Sequence, residues 1–125
     1  MKITFTDREL DVMAVLWANG SGTVNEVRDA LDGDFAYTTV LTVLRTLEEK
    51  GYVGHVTEGK AHRYKPLVEP EVAGRSALAR IIDTMFEGSP ELLFTQLVSD
   101  RRLDQQKLRR LRALLDARLS SGDKP

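Results

Sequence analysis

The hydropathy period changes from helical to strand-like part-way along the chain and then back, and the first change limits the fold more than any other feature. Helical spacing fills residues 7 to 50, and two β-rich stretches around a Glu58–Gly59 pair fill residues 52 to 67. The first helical stretch opens on Thr6 with Glu9 three residues later, the pattern of a capping box, and Phe5 and Leu10 stand where a hydrophobic staple would close. A helix is therefore expected from Asp7 to Asn19, with Leu10, Met13, Leu16 and Trp17 as its apolar stripe and Gly20 as its left-handed stop. A second box, Thr23 with Glu26, leads a short helix with Val24, Val27, Ala30 and Leu31 inward and Gly33 behind it. The third helix is expected over Tyr37 to Lys50, with Val40, Val43, Leu44 and Leu47 inward and Gly51 as its stop.

The β-rich stretches, Tyr52 to Thr57 and Lys60 to Leu67, suit a hairpin. Glu58 and Gly59 as its two turn residues set Thr57 against Lys60 and His55 against His62. Three helices followed by a hairpin make a winged helix-turn-helix, mainly α with a small β-hairpin wing. Pro66 and Pro70 bracket a linker, which divides the chain into a winged-helix domain over residues 1–68 and a helical region over residues 69–125.

In that second region Val72, Leu78, Ile81, Ile82, Met85 and Phe86 outline a fourth helix ending at Gly88. Ser89 and Pro90 cap and begin a fifth. A sixth starts at Asp104, with Leu103 and Leu108 in staple positions and Leu108, Leu111, Leu115 and Leu119 as its stripe. Arg109, Arg110, Arg112 and Arg118 line its wet face. Three short amphipathic helices do not close a core alone, so they are expected to interlock with a second copy. Leu78, Ile82, Met85, Phe86, Leu93, Leu97, Leu108, Leu111 and Leu115 are the candidate dimerisation residues. The tail from Ser120 to Pro125 is expected to be disordered.

Composition narrows the function. The 125 residues include no Cys and two His, which removes disulfides, thiolate metal sites and cysteine nucleophiles. Both His lie on the hairpin, too few for a zinc site that wants three or four ligands, so no metal or cofactor is expected. Neither a phosphate-cradling Gly-rich loop nor a catalytic carboxylate pair stands out, and no enzyme activity is expected. No apolar run approaches the ~18 residues of a membrane span, and Met1 to Arg8 holds no leader-like apolar segment, so the cytoplasm is the expected location. A net charge of −1 argues at first against nucleic acid, but it averages unlike regions. Residues 1–35 carry −4, residues 36–65 carry +2, and the last 60 hold ten basic and nine acidic residues.

The basic segment has a chemical profile of its own. Thr38, Leu41, Thr42, Arg45 and Glu49 face away from the expected core on the third helix. Hydroxyls, methyls and an Arg are groups that read base edges in a major groove, although a Thr-rich helix face is also compatible with plain solvated surface. The hairpin adds His55, Lys60, His62, Arg63 and Lys65, a set suited to phosphate.

The run from Ala36 to Gly51 resembles the recognition-helix signature of the penicillinase repressor family of BlaI/MecI type. Glu9, Val12, Met13, Leu16 and Trp17 match as well, as do His62, Arg63, Tyr64, Pro66, Phe86, Leu92, Leu93, Leu97 and the stripe from Leu108 to Leu115. The resemblance implies a homodimeric transcriptional repressor on an inverted-repeat, double-stranded DNA operator, controlling a β-lactam or cell-envelope stress response. Its DNA-binding residues would be Tyr37, Thr38, Thr39, Leu41, Thr42, Arg45, Thr46, His62 and Arg63. In well-known members a membrane sensor-protease triggers cleavage in the dimerisation region, which corresponds here to Thr95, Gln96 and Leu97. Those members carry Asn and Phe where this chain has Gln96 and Leu97, and the cysteine motif of the copper-responsive branch is missing. The competing expectation is an adaptor that uses the winged domain to hold proteins and does not bind DNA.

Overall fold

The computed structural model describes residues 3–122. Its elements run α1 (Asp7–Asn19), β1 (Gly22–Thr23), α2 (Val24–Ala30), α3 (Tyr37–Glu49), β2 (Val53–Glu58), β3 (Ala61–Pro66), α4 (Pro70–Met85), α5 (Pro90–Val98) and α6 (Gln105–Ser120). Both capping boxes form. Thr6 N donates to Glu9 Oε1 at 2.8 Å while Glu9 N donates to Thr6 Oγ1 at 3.1 Å, and Thr23 and Glu26 repeat the exchange at 3.2 Å each way.

The chain divides into two compact units, Met1–Ala79 and Arg80–Pro125. In the first, Val12, Met13 and Leu16 of α1, Val27 of α2, Val40, Leu44 and Leu47 of α3, Val53 of β2 and Tyr64 of β3 are fully buried in one core. The inward row of α1 is Glu9, Val12, Met13 and Leu16, so Leu10 faces solvent, contrary to the stripe expected from the sequence. Phe5 stands edge-on to Trp17 and Tyr52, with ring centroids 6.1 Å and 5.0 Å away. Ala30, expected inward, is exposed because α2 ends there and the chain turns extended at Leu31.

The sheet has three antiparallel strands in the order β1-β3-β2. Gly59 and Lys60, not Glu58 and Gly59, form the turn, and Glu58 pairs with Ala61. Positive φ falls on Gly59 alone (61°), the first central position, which a primed hairpin turn with glycine there requires. His55 consequently stands opposite Tyr64 and His62 opposite Thr57. The change is two residues, so each side chain keeps its expected face. β1 was not anticipated: Gly22 and Thr23 pair with Tyr64 and Arg63. A Cβ on Gly22 would lie 3.0 Å from Val27 Cγ2, so any larger residue here would press on the α2 side chain that the strand passes.

The linker is fastened to the first unit. Leu67 N donates to Tyr52 O at 2.9 Å, and Trp17 Nε1 donates to Val68 O at 2.9 Å. The first turns of α4 join in: Ala73 is buried, and Ser76 Oγ accepts from Ile3 N (3.0 Å) and donates to Ile3 O (3.1 Å). The unit thus extends past residue 68 to Ala79.

In the second unit α5 is capped by Ser89, which accepts from Leu92 N, and has Pro90 in its first turn. Asp104 caps α6 through Lys107 N at 2.9 Å. Neither α5 nor α6 contains a buried residue. Leu103, Leu108 and Leu111 are half-buried, and Leu114, Leu115 and Leu119 are exposed. Disorder was expected from Ser120 onward, but α6 includes Ser120 and a turn follows through residue 122, while residues 123–125 lie outside the described residues. No described helix is long and apolar enough to cross a membrane.

Candidate nucleic-acid interface

One side of α3 is fixed by the core through Val40, Leu44 and Leu47, which dictates what the other side displays. Tyr37, Thr38, Thr39, Thr42 and Arg45 are exposed, with 43% of Tyr37 accessible, and Thr46 is half-buried. Leu41, expected to face outward, is half-buried and packs on the core's margin, where its methyls gain more than in water. Thr42 Oγ1 donates to Thr38 O at 2.9 Å and Thr46 Oγ1 donates to Thr42 O at 3.0 Å. These hydroxyl protons are used inside the helix, so Thr42 offers an outside ligand acceptor lone pairs and a methyl. Acceptors suit the amino groups of adenine and cytosine, and methyls suit thymine.

Cations are fewer on this surface than the sequence count suggests. Lys50 Nζ bonds both carboxylate oxygens of the buried Glu9 at 2.9 Å, joining the end of α3 to the start of α1. Burial alone would raise the Glu9 pKa, but the Thr6 backbone bond and the Lys50 ammonium outweigh it and hold it below its ordinary value. Arg63 is paired too, with Glu26 and Glu58. Arg45, Lys60 and Lys65 make no ion pair among the described residues and are the cations of residues 36–65 open to phosphate.

The wing leans on α3 through its histidines. His55 Nδ1 lies 2.6 Å from Glu48 Oε2, and the His55 and His62 rings stack at 4.3 Å with 10° between their planes. Tyr64 fills the base of the same face, its pKa raised by burial and then by the charge of Glu48. Among the described residues no group of three or more His, Asp or Glu is arranged to hold a metal.

A helix-turn-helix with an exposed Thr/Arg row and an adjoining wing is a DNA-reading architecture, and comparison with known proteins settles its lineage. The family model described as penicillinase repressor matches residues 5–117. The chain belongs to the penicillinase repressor family. This is a family of transcriptional repressors, not of enzymes. The chain is 36% identical over 126 residues to the transcriptional regulator BlaI of Mycobacterium tuberculosis, covering 95% of this chain and 88% of that protein. It is 27% identical over 117 residues to the penicillinase repressor of Bacillus licheniformis, covering 89% and 88% respectively. Among solved structures, that of the DNA-binding domain of the repressor BlaI superimposes with a TM-score of 0.50 at 34% identity, over 56% of this chain and 90% of that one.

Within this family framework the sequence misses three features: β1, the Glu9–Lys50 pair and the carboxylates around Arg63. The last two join residues 41 and 37 positions apart, which no local pattern announces. Glu9, read from the sequence only as a capping-box residue, is buried on the inward row of α1, and a buried carboxylate needs a partner.

Proposed function

We propose that the chain is a cytoplasmic homodimeric repressor whose two winged domains read the halves of an inverted-repeat operator, in a β-lactam or cell-envelope stress response. The observation that carries this reading is the exposed row Tyr37, Thr38, Thr42 and Arg45 on a helix whose other side is locked in the core. Thr38, Thr39, Thr42 and Arg45 supply the base and nearby phosphate contacts, Tyr37 and His62 contact the backbone, and Lys60 and Lys65 add phosphate contacts from the wing. Dimerisation through the exposed Leu78, Met85, Leu97 and Leu115, with Ile82, Phe86, Leu93, Leu108 and Leu111 behind them, doubles the DNA contacts. Gln96 and Leu97 lie inside α5, so a membrane sensor-protease acting there would need that helix to unwind before the chain could enter its cleft.

The test is a gel shift with the DNA upstream of the protein's own gene at two salt concentrations. A sequence-preferring complex that weakens steeply with salt is expected, because each neutralised phosphate releases condensed counterions. Absence of any preference for inverted-repeat DNA would leave the adaptor as the better account. Arg45→Ala should weaken the complex by about 1 to 3 kcal/mol if the guanidinium reads a base.

A further inference from the structure

Arg63 lies on β3 opposite Val56, on the face away from Tyr64. Its Nη1 and Nη2 bond the two oxygens of Glu26 at 2.9 and 3.1 Å, its Nε bonds Glu58 Oε2 at 2.9 Å, and Nη1 also reaches Ser21 Oγ at 3.3 Å. One guanidinium thus joins the residue before β1, the first turn of α2, the end of β2 and the middle of β3. Glu26 is at the same time the carboxylate of the α2 capping box. The trio of Arg63, Glu26 and Glu58 sums to −1, so it holds no surplus positive charge for a phosphate. Glu26 and then Glu58 raise the Arg63 pKa, and in return the Arg63 bond, followed by that of Thr23, lowers the Glu26 pKa.

We propose that Arg63 is a positioning residue for DNA binding and not a phosphate contact: its fork fixes the wing against the start of α2. Glu58 directly precedes the Gly59–Lys60 turn, so the clamp sets where Lys60 meets the backbone of the operator. The inference rests on the operator-binding reading above and reassigns one residue within it. A fork is required because only a planar guanidinium can serve two carboxylates at fixed angles, whereas a Lys delivers the same charge as a single point.

The experiment measures affinity for the upstream inverted-repeat DNA, and its salt slope, for the full chain and for Arg63→Lys, Arg63→Gln, Glu26→Gln and the Arg63→Gln/Glu26→Gln double variant. Positioning predicts that Arg63→Lys weakens binding about as much as Arg63→Gln, each by about 3- to 30-fold, with little further loss in the double variant. The salt slope falls in Arg63→Lys although the charge is kept, because Lys60 loses its place on the backbone. Glu26→Gln, which retains an acceptor for the capping box, also weakens binding. Full affinity and slope in Arg63→Lys, together with tighter binding by Glu26→Gln, would instead make Arg63 a phosphate contact and overturn the inference. Lower melting temperatures with affinity and slope unchanged would also overturn it, by reducing the clamp to a fold stabiliser. If the unaltered chain shows no sequence-preferring complex, the operator reading itself fails; if it binds and only the variants disagree, the positioning role alone fails.

Discussion

The third and sixth helices have similar apolar stripes and opposite fates. In α3, Val40, Leu44 and Leu47 are fully covered by α1, α2 and the strands, whereas in α6 Leu111 is half-buried, Leu115 exposed and Leu119 81% accessible. The number of leucines does not separate them. In the amino-terminal unit the chain reverses into a hairpin that places Val53 and Tyr64 in the same core as the residues of the three helices. The helices of the second unit supply faces but no covering layer, and Met85 is left 72% accessible. An amphipathic stripe makes a core only where a second and third element arrive to cover it; elsewhere it stays exposed.

The largest expected effect tests the closed side of that comparison. Leu44→Ala removes a fully buried side chain from a dense core and should cost about 2 to 5 kcal/mol in denaturant unfolding of the full chain. Leu115→Ala, at a site already 48% exposed, should cost well under half of that when the protein is dilute enough to be monomeric. Equal losses from the two substitutions would show that α6 has a core of its own. The open side is tested by placing Asp at Leu115 and Leu119 together. Sedimentation should then report a monomer, and operator affinity should fall about 100-fold or more as the coupling of half-sites is lost. A dimer that survives the double substitution would move the interface away from α6.

The two regions also differ in how much of them was legible beforehand. Helix starts were readable because a capping box is written within four residues, and Thr6, Thr23, Ser89 and Asp104 all cap as their neighbours imply. On α3 the exposure of Thr38, Thr42, Arg45 and Glu49 followed from period, but that of Leu41 did not, because its side chain packs on the core's margin. The hairpin register did not, because Glu58–Gly59 and Gly59–Lys60 are both plausible turns by composition, and the choice is made by cross-strand pairing and by β1 on the far edge of β3. The charge of residues 36–65 was countable but not its availability: Lys50 and Arg63 are absorbed by Glu9 and Glu26, which come from distant parts of the chain.

A smaller effect is expected at Glu9. Its carboxylate is buried, paired with Lys50 and titrates below its ordinary range. A depressed folded pKa contributes stability that is complete above the unfolded value near 4.5 and is lost as the pH falls through the folded value. Glu9→Gln keeps the bond to Thr6 N and loses the ion pair. It should destabilise the chain by about 1 to 2 kcal/mol at neutral pH, since the half-exposed Lys50 can turn to water. The penalty should vanish in acid, where Glu9 is protonated as well. A pH-independent penalty would mean that Lys50 contributes nothing to the burial of Glu9.

Asp100 gives the smallest effect and the sharpest contrast with Glu9, because it is also a depressed carboxylate but lies in the unit without a closed core. The Arg102 side chain, followed by the Arg102 backbone N–H, pulls its pKa down to about 2 from 3.8. The guanidinium bonds both carboxylate oxygens, with Arg102 itself almost fully exposed. The sign is the same as for Glu9: the contribution is present above pH 3.8 and lost as the pH falls through about 2. Water and salt reach this pair freely, so its effect on unfolding should be too small to resolve. Carboxyl NMR should place the Asp100 midpoint near 2 at low salt and move it upward in Arg102→Ala or at about 1 M salt, where screening shortens to ~3 Å. The Glu9 midpoint should respond less to the same salt, because its own carboxylate is buried in the core. If the two midpoints moved together, the Glu9 pair would be as solvated as a surface pair, and the contrast between a closed unit and an open one would not extend to their charges.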